Sequence, residues 1–268
     1  MCDTCGCNVT PGNVQFAYKP VPAGATTISV LQGLLKKNDD QAEHNRAHFD
    51  KRGILAVNLM SSPGSGKTAL LEATIAALKS RLNIAVIEGD LETENDADRI
   101  RAQGVPAHQI VTGTACHLDA HMVHDALHHM NLDGIDLLFI ENVGNLVCPA
   151  SFDLGQHLNI ALLSVTEGDD KPAKYPVMFR GADAVLLTKT DLLAVLDDFD
   201  PAKAEGHVRK LANPCPILRL SARKGEGMDA WLVWLLGQLD AQRTRVAAGQ
   251  TQRPAIQPEG ARLHTETA

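Results

Sequence analysis

"ILAVNLM" (54–60) runs directly into "SSPGSGKT" (61–68). The first run is almost wholly aliphatic and reads as a strand buried on both faces. The second is a tight, glycine-containing turn ending in Lys-Thr, and a long helical stretch follows it. It matches the phosphate-binding loop GxxxxGK[ST], except that Ser61 stands where the first glycine is expected. Gly64 and Gly66 let the backbone curl so that successive N–H groups face a phosphate, and the start of the next helix adds its positive dipole end. Pro63, Gly64, Ser65, Gly66, Lys67, Thr68 and Ala69 make up the expected cradle. Lys67 is placed to reach the β- and γ-phosphates and Thr68 to hold Mg²⁺. A glycine turn in another context would mean little; between a strand and a helix it predicts a nucleotide site. Ser61 is expected to alter the geometry of the turn more than its chemistry.

Outward from this loop the chain repeats the strand theme. "IAVIEGD" (84–90), "QIVTG" (109–113), "DLLFIEN" (136–142), "IALLSV" (160–165), "AVLLTKTD" (184–191) and "PILRLSA" (216–222) are apolar runs, most ending in polar or glycine residues, with helical stretches between many of them. That alternation predicts an α/β fold, a doubly wound, mostly parallel sheet with helices on both faces. Ligands in such sheets bind beyond the carboxyl ends of the strands. A leading helix is expected from Ile28 to about Arg52, with Gly53 as its stop. Residues 1–30, rich in Gly, Pro, Thr and Ala, read as a flexible arm. Residues 31–242 then form the nucleotide-binding domain, and 243–268 a disordered tail.

Composition narrows the function. The chain has 268 residues, a net charge of -7 and 4% aromatics. Its basic residues are scattered, so no nucleic-acid footprint is expected. No apolar stretch approaches the roughly 20 residues of a membrane span. No signal peptide is visible, which predicts a cytoplasmic protein whose thiols stay reduced.

"TKTD" (188–191) closes a late strand and resembles the guanine motif [NT]KxD. Asp191 is placed to accept from guanine N1–H and the exocyclic amine, a donor pair that adenine lacks. Lys189 is expected to pack along the base, and Thr188 stands where Asn is more usual. "LSARKGEG" (220–227) supplies the companion Ser221-Ala222 at the next strand end. Order and spacing favour GTP over ATP. For the γ-phosphate and Mg²⁺, "EGDLETENDADR" (88–99) offers Asp90 and Glu92, and "ENVGNL" (141–146) offers Glu141 as a metal-directed acid and Gly144 as an N–H donor. Lys67, Asp90, Glu141 and Gly144 are therefore the expected hydrolytic set, with Thr68 and Asp90 on magnesium.

Metal chemistry of another kind is suggested by Cys116-His117 after "QIVTGTA" and by Cys148 just beyond "ENVGN". Thiolate with imidazole suits Zn²⁺ or Ni²⁺. At about 100° per residue, His117, His121, His124 and His128 form one narrow helical stripe, with Met122, Val123, Ala126, Leu127 and Met130 opposite. The stripe reads first as a solvent-facing polar strip and second as a relay of imidazole ligands. At the N-terminus, "MCDTCGC" places Cys2, Cys5 and Cys7 within seven residues. Three thiolates and the α-amino group make four donors, and Zn²⁺, Cu(I) and Ni²⁺ all suit such a set.

"MCDTCGC", "NDDQAEHNRAHFDKRG", "SSPGSGKT", "CHLDAHMV", "ENVGNLVCP" and "TKTDLL" occur in one order, and together they resemble the HypB family, the nickel-incorporation GTPases of [NiFe]-hydrogenase maturation. The resemblance runs from the N-terminus to about residue 240. It implies a P-loop GTPase fold of the SIMIBI type and slow GTP hydrolysis coupled to delivery of Ni²⁺ into the hydrogenase large subunit. It also implies a homodimer linked to GTP and metal, and a HypA-like nickel-donor accessory protein as partner. By position, it assigns Cys2, Cys5 and Cys7 to an N-terminal nickel site. Cys116, His117 and Cys148 become a nickel or zinc site at the dimer interface. The long histidine run that many relatives carry in the arm is missing here. The rival expectations are a urease-type nickel GTPase, which is not expected to carry the cysteine arm, and a regulatory GTP switch with structural cysteines.

Overall fold

The computed structural model describes residues 27–90 and 95–254, with side chains from position 35 onward. Cys2, Cys5, Cys7 and Glu92 lie outside the described residues. So do the rest of the arm before Thr27 and the tail after Pro254.

The seven expected strands are all present: β1 (Leu55–Met60), β2 (Ile84–Asp90), β3 (Ala107–Val111), β4 (Leu137–Glu141), β5 (Leu158–Ser164), β6 (Ala184–Thr188) and β7 (Ile217–Arg219). They form one sheet in the order β3-β2-β4-β1-β5-β6-β7, and every pairing is parallel. Every residue of β1, β4, β5 and β6 is buried, as expected of strands covered on both faces. The edge strand β3 is only half buried and begins two residues before the expected "QIVTG".

Eight helices cover the sheet: α1 (Thr27–Arg52), α2 (Lys67–Leu78), α3 (Asn95–Arg101), α4 (Ala120–Leu127), α5 (Lys171–Lys174), α6 (Pro176–Arg180), α7 (Pro201–Lys210) and α8 (Met228–Ala247). Along β1, Leu55, Val57 and Leu59 point to one face, where they pack with Leu71 and Ile75 of α2 and Trp231 and Leu235 of α8. Ala56 and Met60 point to the other. There Phe49 of α1 and Val123 of α4 fill one half, and Phe179 of α6 and Val208 of α7 fill the other. Between those halves runs a buried chain of amides. Gln156 donates to Asn159 at 2.9 Å, Asn58 of β1 donates to Asn159 at 3.0 Å, and Asn142 donates to Asn58 at 3.2 Å. Each amide satisfies the next, which is what makes their burial tolerable.

One helix end agrees with expectation and another does not. The leading helix runs from Thr27, one residue before the expected start, to Arg52, and Gly53, whose φ of 70° is the left-handed stop that glycine permits, ends it as expected. At the other end α8 continues to Ala247, past the expected tail boundary. Arg243 pairs with Asp136 at 2.6 Å, and Arg253 with Glu43. These contacts hold polar residues that composition alone assigned to a tail.

Candidate nucleotide and metal sites

The loop between β1 and α2 takes the shape its glycines allow: Gly64 has φ 74° and Gly66 φ 97°. Gly66 is the N-cap of α2 and makes no side-chain cap hydrogen bond. The first-turn N–H groups are thus left for an incoming anion. Ser61 departs from the motif without disturbing the turn, because positive φ among the non-glycine described residues occurs only at Lys189 and Ala212. Its effect is chemical instead: its hydroxyl lies 3.1 Å from Lys67 Nζ and donates to the Ser62 carbonyl at 2.7 Å. The expectation of a geometric effect is therefore corrected, since Ser61 gives the buried lysine a resting partner.

A cavity of about 420 Å³ opens above this loop, lined by Lys67 and Thr68, by Glu88–Asp90 at the end of β2, and by Glu141–Gly144 at the end of β4. Thr68 Oγ1 donates to Glu141 Oε1 at 3.1 Å, and Lys67 Nζ lies 4.0 Å from the same oxygen. Glu88 faces Glu141, and burial raises both carboxyl pKa values, Glu88 further by the adjacent Glu141 charge and Glu141 against the opposing pull of Lys67. Glu141 Oε2 and Glu88 Oε1 are buried without a hydrogen-bond partner among the described residues. Two orphaned carboxylate oxygens beside a threonine hydroxyl are a donor set that suits Mg²⁺. Asp90 lines the same cavity, while Glu88 holds the more buried position. Glu88 was legible as part of the quoted acidic run, but the strand's alternation and its β4 neighbour were needed to single it out.

Gly144 approaches the loop so closely that a Cβ there would lie 2.9 Å from both Cα and N of Pro63. Glu167, which the sequence did not single out, braces the loop from the turn after β5. Its carboxylate accepts from the hydroxyls of Ser62 and Ser65 and from Ser164 N–H. Arg99 lines the cavity too, held by Glu72 at 2.7 Å and Asp96 at 2.8 Å.

A second pocket of about 330 Å³ shares Gly66 and Ala69 with the first and is lined by Thr188, Lys189, Asp191, Ser221 and Ala222. The two cavities adjoin at these residues and outline a trough from the phosphate loop to the 188–191 loop. Thr188 Oγ1 donates to the Ser65 carbonyl at 2.7 Å, and Lys189 Nζ donates to the Gly64 carbonyl at 2.7 Å. The threonine that replaces the usual asparagine thus still ties this loop to the phosphate loop.

Cys116, His117 and Cys148 come together from two different segments. Their ligand atoms all lie within 4.8 Å of one another, with Cys116 Sγ 3.8 Å from His117 Nδ1. His117 is buried, stacks on Phe152 at 4.0 Å, and has its pKa lowered by burial against the opposing pull of Asp119. A neutral imidazole between two cysteines is ready to bind a soft or borderline cation. Neither Cys116 nor Cys148 is in a disulfide; nor is Cys215, a buried thiol whose pKa burial pushes up to about 11. His117 is not on the expected helical stripe. Helix α4 starts at Ala120, capped by Asp119 accepting from Met122 N–H at 2.8 Å. His121, His124 and His128 follow on the helix and its C-cap, and α1 crosses beside them.

The model of the CobW/HypB/UreG nucleotide-binding domain matches residues 55–219. The hydrogenase maturation factor HypB of Azotobacter vinelandii is 51% identical over 253 residues, covering 91% of this chain and 83% of that protein. HypB of Escherichia coli K12 is 56% identical over 208 residues, covering 78% and 71%. A crystal structure of Helicobacter pylori HypB in complex with nickel superposes with a TM-score of 0.74 at 44% identity, covering 77% of this chain and 97% of that one. The phosphate loop, the guanine-type loop and the paired cysteine segments thus sit on a sheet shared with these proteins, and the chain belongs to the HypB hydrogenase maturation factors of the CobW/HypB/UreG family.

Proposed function

We propose that this chain is a GTP-hydrolysing nickel carrier that delivers Ni²⁺ to the large subunit of a [NiFe]-hydrogenase. The observation that carries this reading is the Cys116–His117–Cys148 cluster: Cys148 follows the Glu141–Gly144 segment that lines the nucleotide cavity, and Leu118, next to His117, bonds to Asn142 of that segment. The nickel-bound Helicobacter pylori structure supports nickel as the cargo.

GTP enters the trough with its base against Asp191, Lys189, Ser221 and Ala222 and its phosphates over Gly64–Thr68. Asp191 accepts from guanine N1–H and the exocyclic amine. Lys67 turns from Ser61 and Glu141 to the β- and γ-phosphates. Mg²⁺, held by Thr68 with Glu141, Glu88 and Asp90, would supply the charge that offsets the phosphates. Gly144 presents its N–H to the γ-phosphate. Water attacks the γ-phosphorus, leaving GDP and inorganic phosphate. Loss of the γ-phosphate releases the Glu141–Gly144 segment, which moves Cys148 relative to Cys116 and His117.

Three protein ligands leave a further coordination position, open to a second copy of the chain, to a HypA-like nickel donor or to the hydrogenase. Zn²⁺ is an alternative occupant with the same ligands. A GTP- and metal-linked homodimer follows from this reading.

The test is Ni²⁺ affinity of the full chain carrying Cys2, Cys5 and Cys7→Ala, measured with GDP and with a non-hydrolysable GTP analogue. A coupling of about 5- to 150-fold is the expected range for allosteric linkage. Equal affinities in the two states would overturn the coupling, and absence of Ni²⁺ binding would overturn the cargo.

A further inference from the structure

Beyond the thiolate cluster, the described residues carry a second gathering of metal-binding side chains, and it draws on two helices. On α4 and its C-cap, His124 and His128 are four residues apart, with Nε2 atoms 3.1 Å from one another and ring centroids 4.6 Å apart. On α1, His44 and His48 are likewise four residues apart. The His44 ring lies edge-on to His124 with centroids 5.2 Å apart. His48 follows His44 by one helical turn on the same face, and the charges of His44, His124 and His128 act on it. Two i, i+4 histidine pairs therefore face each other where α1 crosses α4. On one helix, residues at this spacing are neighbours on one face, which is the arrangement a chelating pair needs.

The helices beneath are fixed. Asn45 Nδ2 donates to the Ala120 carbonyl at 2.8 Å, and Asn38 Oδ1 accepts Ala120 N–H at 2.9 Å. Phe49 of α1 and Val123 of α4 are fully buried in the same cluster. The imidazoles therefore meet on a rigid platform.

We propose that His44, His48, His124 and His128 form a second metal site, bridging α1 and α4, for a borderline divalent cation such as Ni²⁺ or Zn²⁺. Imidazole suits both ions, and four nitrogens from two helices match a four-coordinate site. Two neighbouring nitrogens 3.1 Å apart either share a proton or flank a cation. Burial lowers the pKa values of His48 and His124, and mutual repulsion among the rings lowers them further. Arg52 also faces His48, and Asp125 is the one carboxylate acting on His124. His124 Nδ1 is buried without a hydrogen-bond partner among the described residues, so no protein acceptor fixes the ring. Among the described residues, only Cys116, His117 and Cys148 already bring three ligand atoms within 4.8 Å. The quartet closes by ring rotations of the exposed His44 and the half-buried His48, which turn about soft torsions. The site stands independently of the nickel reading of the thiolate cluster.

The test uses the untagged full chain with all thiolates of both cysteine sites replaced (Cys2, Cys5, Cys7, Cys116 and Cys148→Ala). Ni²⁺ and, separately, Zn²⁺ are titrated into it with GDP present. Retained binding of one equivalent per chain is expected. It should weaken about tenfold or more, the scale of losing ligand support, in His124→Gln/His128→Gln and independently in His44→Gln/His48→Gln. Co²⁺ substitution should give a spectrum without thiolate charge transfer. Far-UV circular dichroism checks that each variant is folded, and the two variants lie on different helices. Absence of metal in the chain lacking both cysteine sites, or binding unchanged in both double variants, would overturn the proposal.

Discussion

Asn142 Oδ1 accepts the backbone N–H of Leu118 at 3.2 Å. Leu118 follows Cys116-His117, and Asn142 follows Glu141, so this one bond joins the metal segment to the end of β4. Asn142 is 1% exposed and bonds on every side: its backbone N–H donates to Leu59 of β1, its Oδ1 also accepts Val143 N–H, and its Nδ2 reaches Asn58. Asn142→Ala would strip two buried donors of their acceptor, at a cost of about 1–3 kcal/mol each before relaxation. The expected outcome is a lower midpoint in urea and a smaller ratio between Ni²⁺ affinities in the GDP and GTP-analogue states. An unchanged ratio would mean that the two sites communicate by another route.

Gly144 and Pro63 give a second, purely steric prediction. The Cβ of Gly144→Ala would meet the Pro63 backbone at 2.9 Å, and backbone cannot swing aside as a flexible side chain does. The phosphate loop and the β4 segment must separate. We expect weakened binding of the GTP analogue with binding of GDP affected less, since the added methyl sits on the γ-phosphate side. Nickel stoichiometry at Cys116, His117 and Cys148 should be unchanged. Fluorescent-nucleotide titrations measure the first and equilibrium dialysis the second.

The parts of the site that lie within short sequence windows were legible before the fold: the 61–68 loop, the 188–191 loop, Ser221-Ala222 and the strand pattern itself. Each carries its own turn chemistry or hydrophobic run. What sequence could not supply was pairing across distance. Glu88 becomes distinctive because β2 and β4 align it with Glu141. Glu167 matters because β5 lies beside β1, more than 100 residues from Ser62 and Ser65 in sequence. The histidine stripe had the right period, yet His117 falls before the helix, and the partners His44 and His48 come from α1. Ser61 was misread because the motif prescribes glycine there, while the backbone it adopts needs none.

Asp191 lines the base pocket beside Ser221 and Ala222. If it accepts two guanine N–H groups, Asp191→Ala removes two charge-assisted bonds of about 1.5–3 kcal/mol each. GTP affinity should fall by two to four orders of magnitude, while ATP, which offers no such donor pair, should bind little worse than before. Competition of GTP and ATP against a fluorescent guanine nucleotide checks this. An equal loss for both nucleotides would place Asp191 in structural support of the loop.

The buried His157 predicts how stability depends on pH. Its Nδ1 accepts Ala56 N–H at 2.9 Å, so that nitrogen carries no proton, while Nε2 faces Asp50 Oδ1 at 3.0 Å. Burial lowers its pKa, and the hydrogen bond and charge of Asp50 oppose that without reversing it. The folded state therefore holds fewer protons at this residue than the unfolded chain does once the pH drops below the ordinary histidine value of about 6.5. Stability is fully present above that pH and is lost as the pH falls toward the depressed folded value. Asp50, also lowered, adds a loss of the same sign at more acidic pH, where its hydrogen bonds to His157 and Gln242 fail. Urea midpoints measured from pH 7.5 down to 5.5 should decline in the wild type. In His157→Gln, where the titrating ring is gone, the slope over that interval should flatten even though the variant is less stable at pH 7.5. A wild-type slope retained in the variant would assign the decline to the solvent-facing histidines instead.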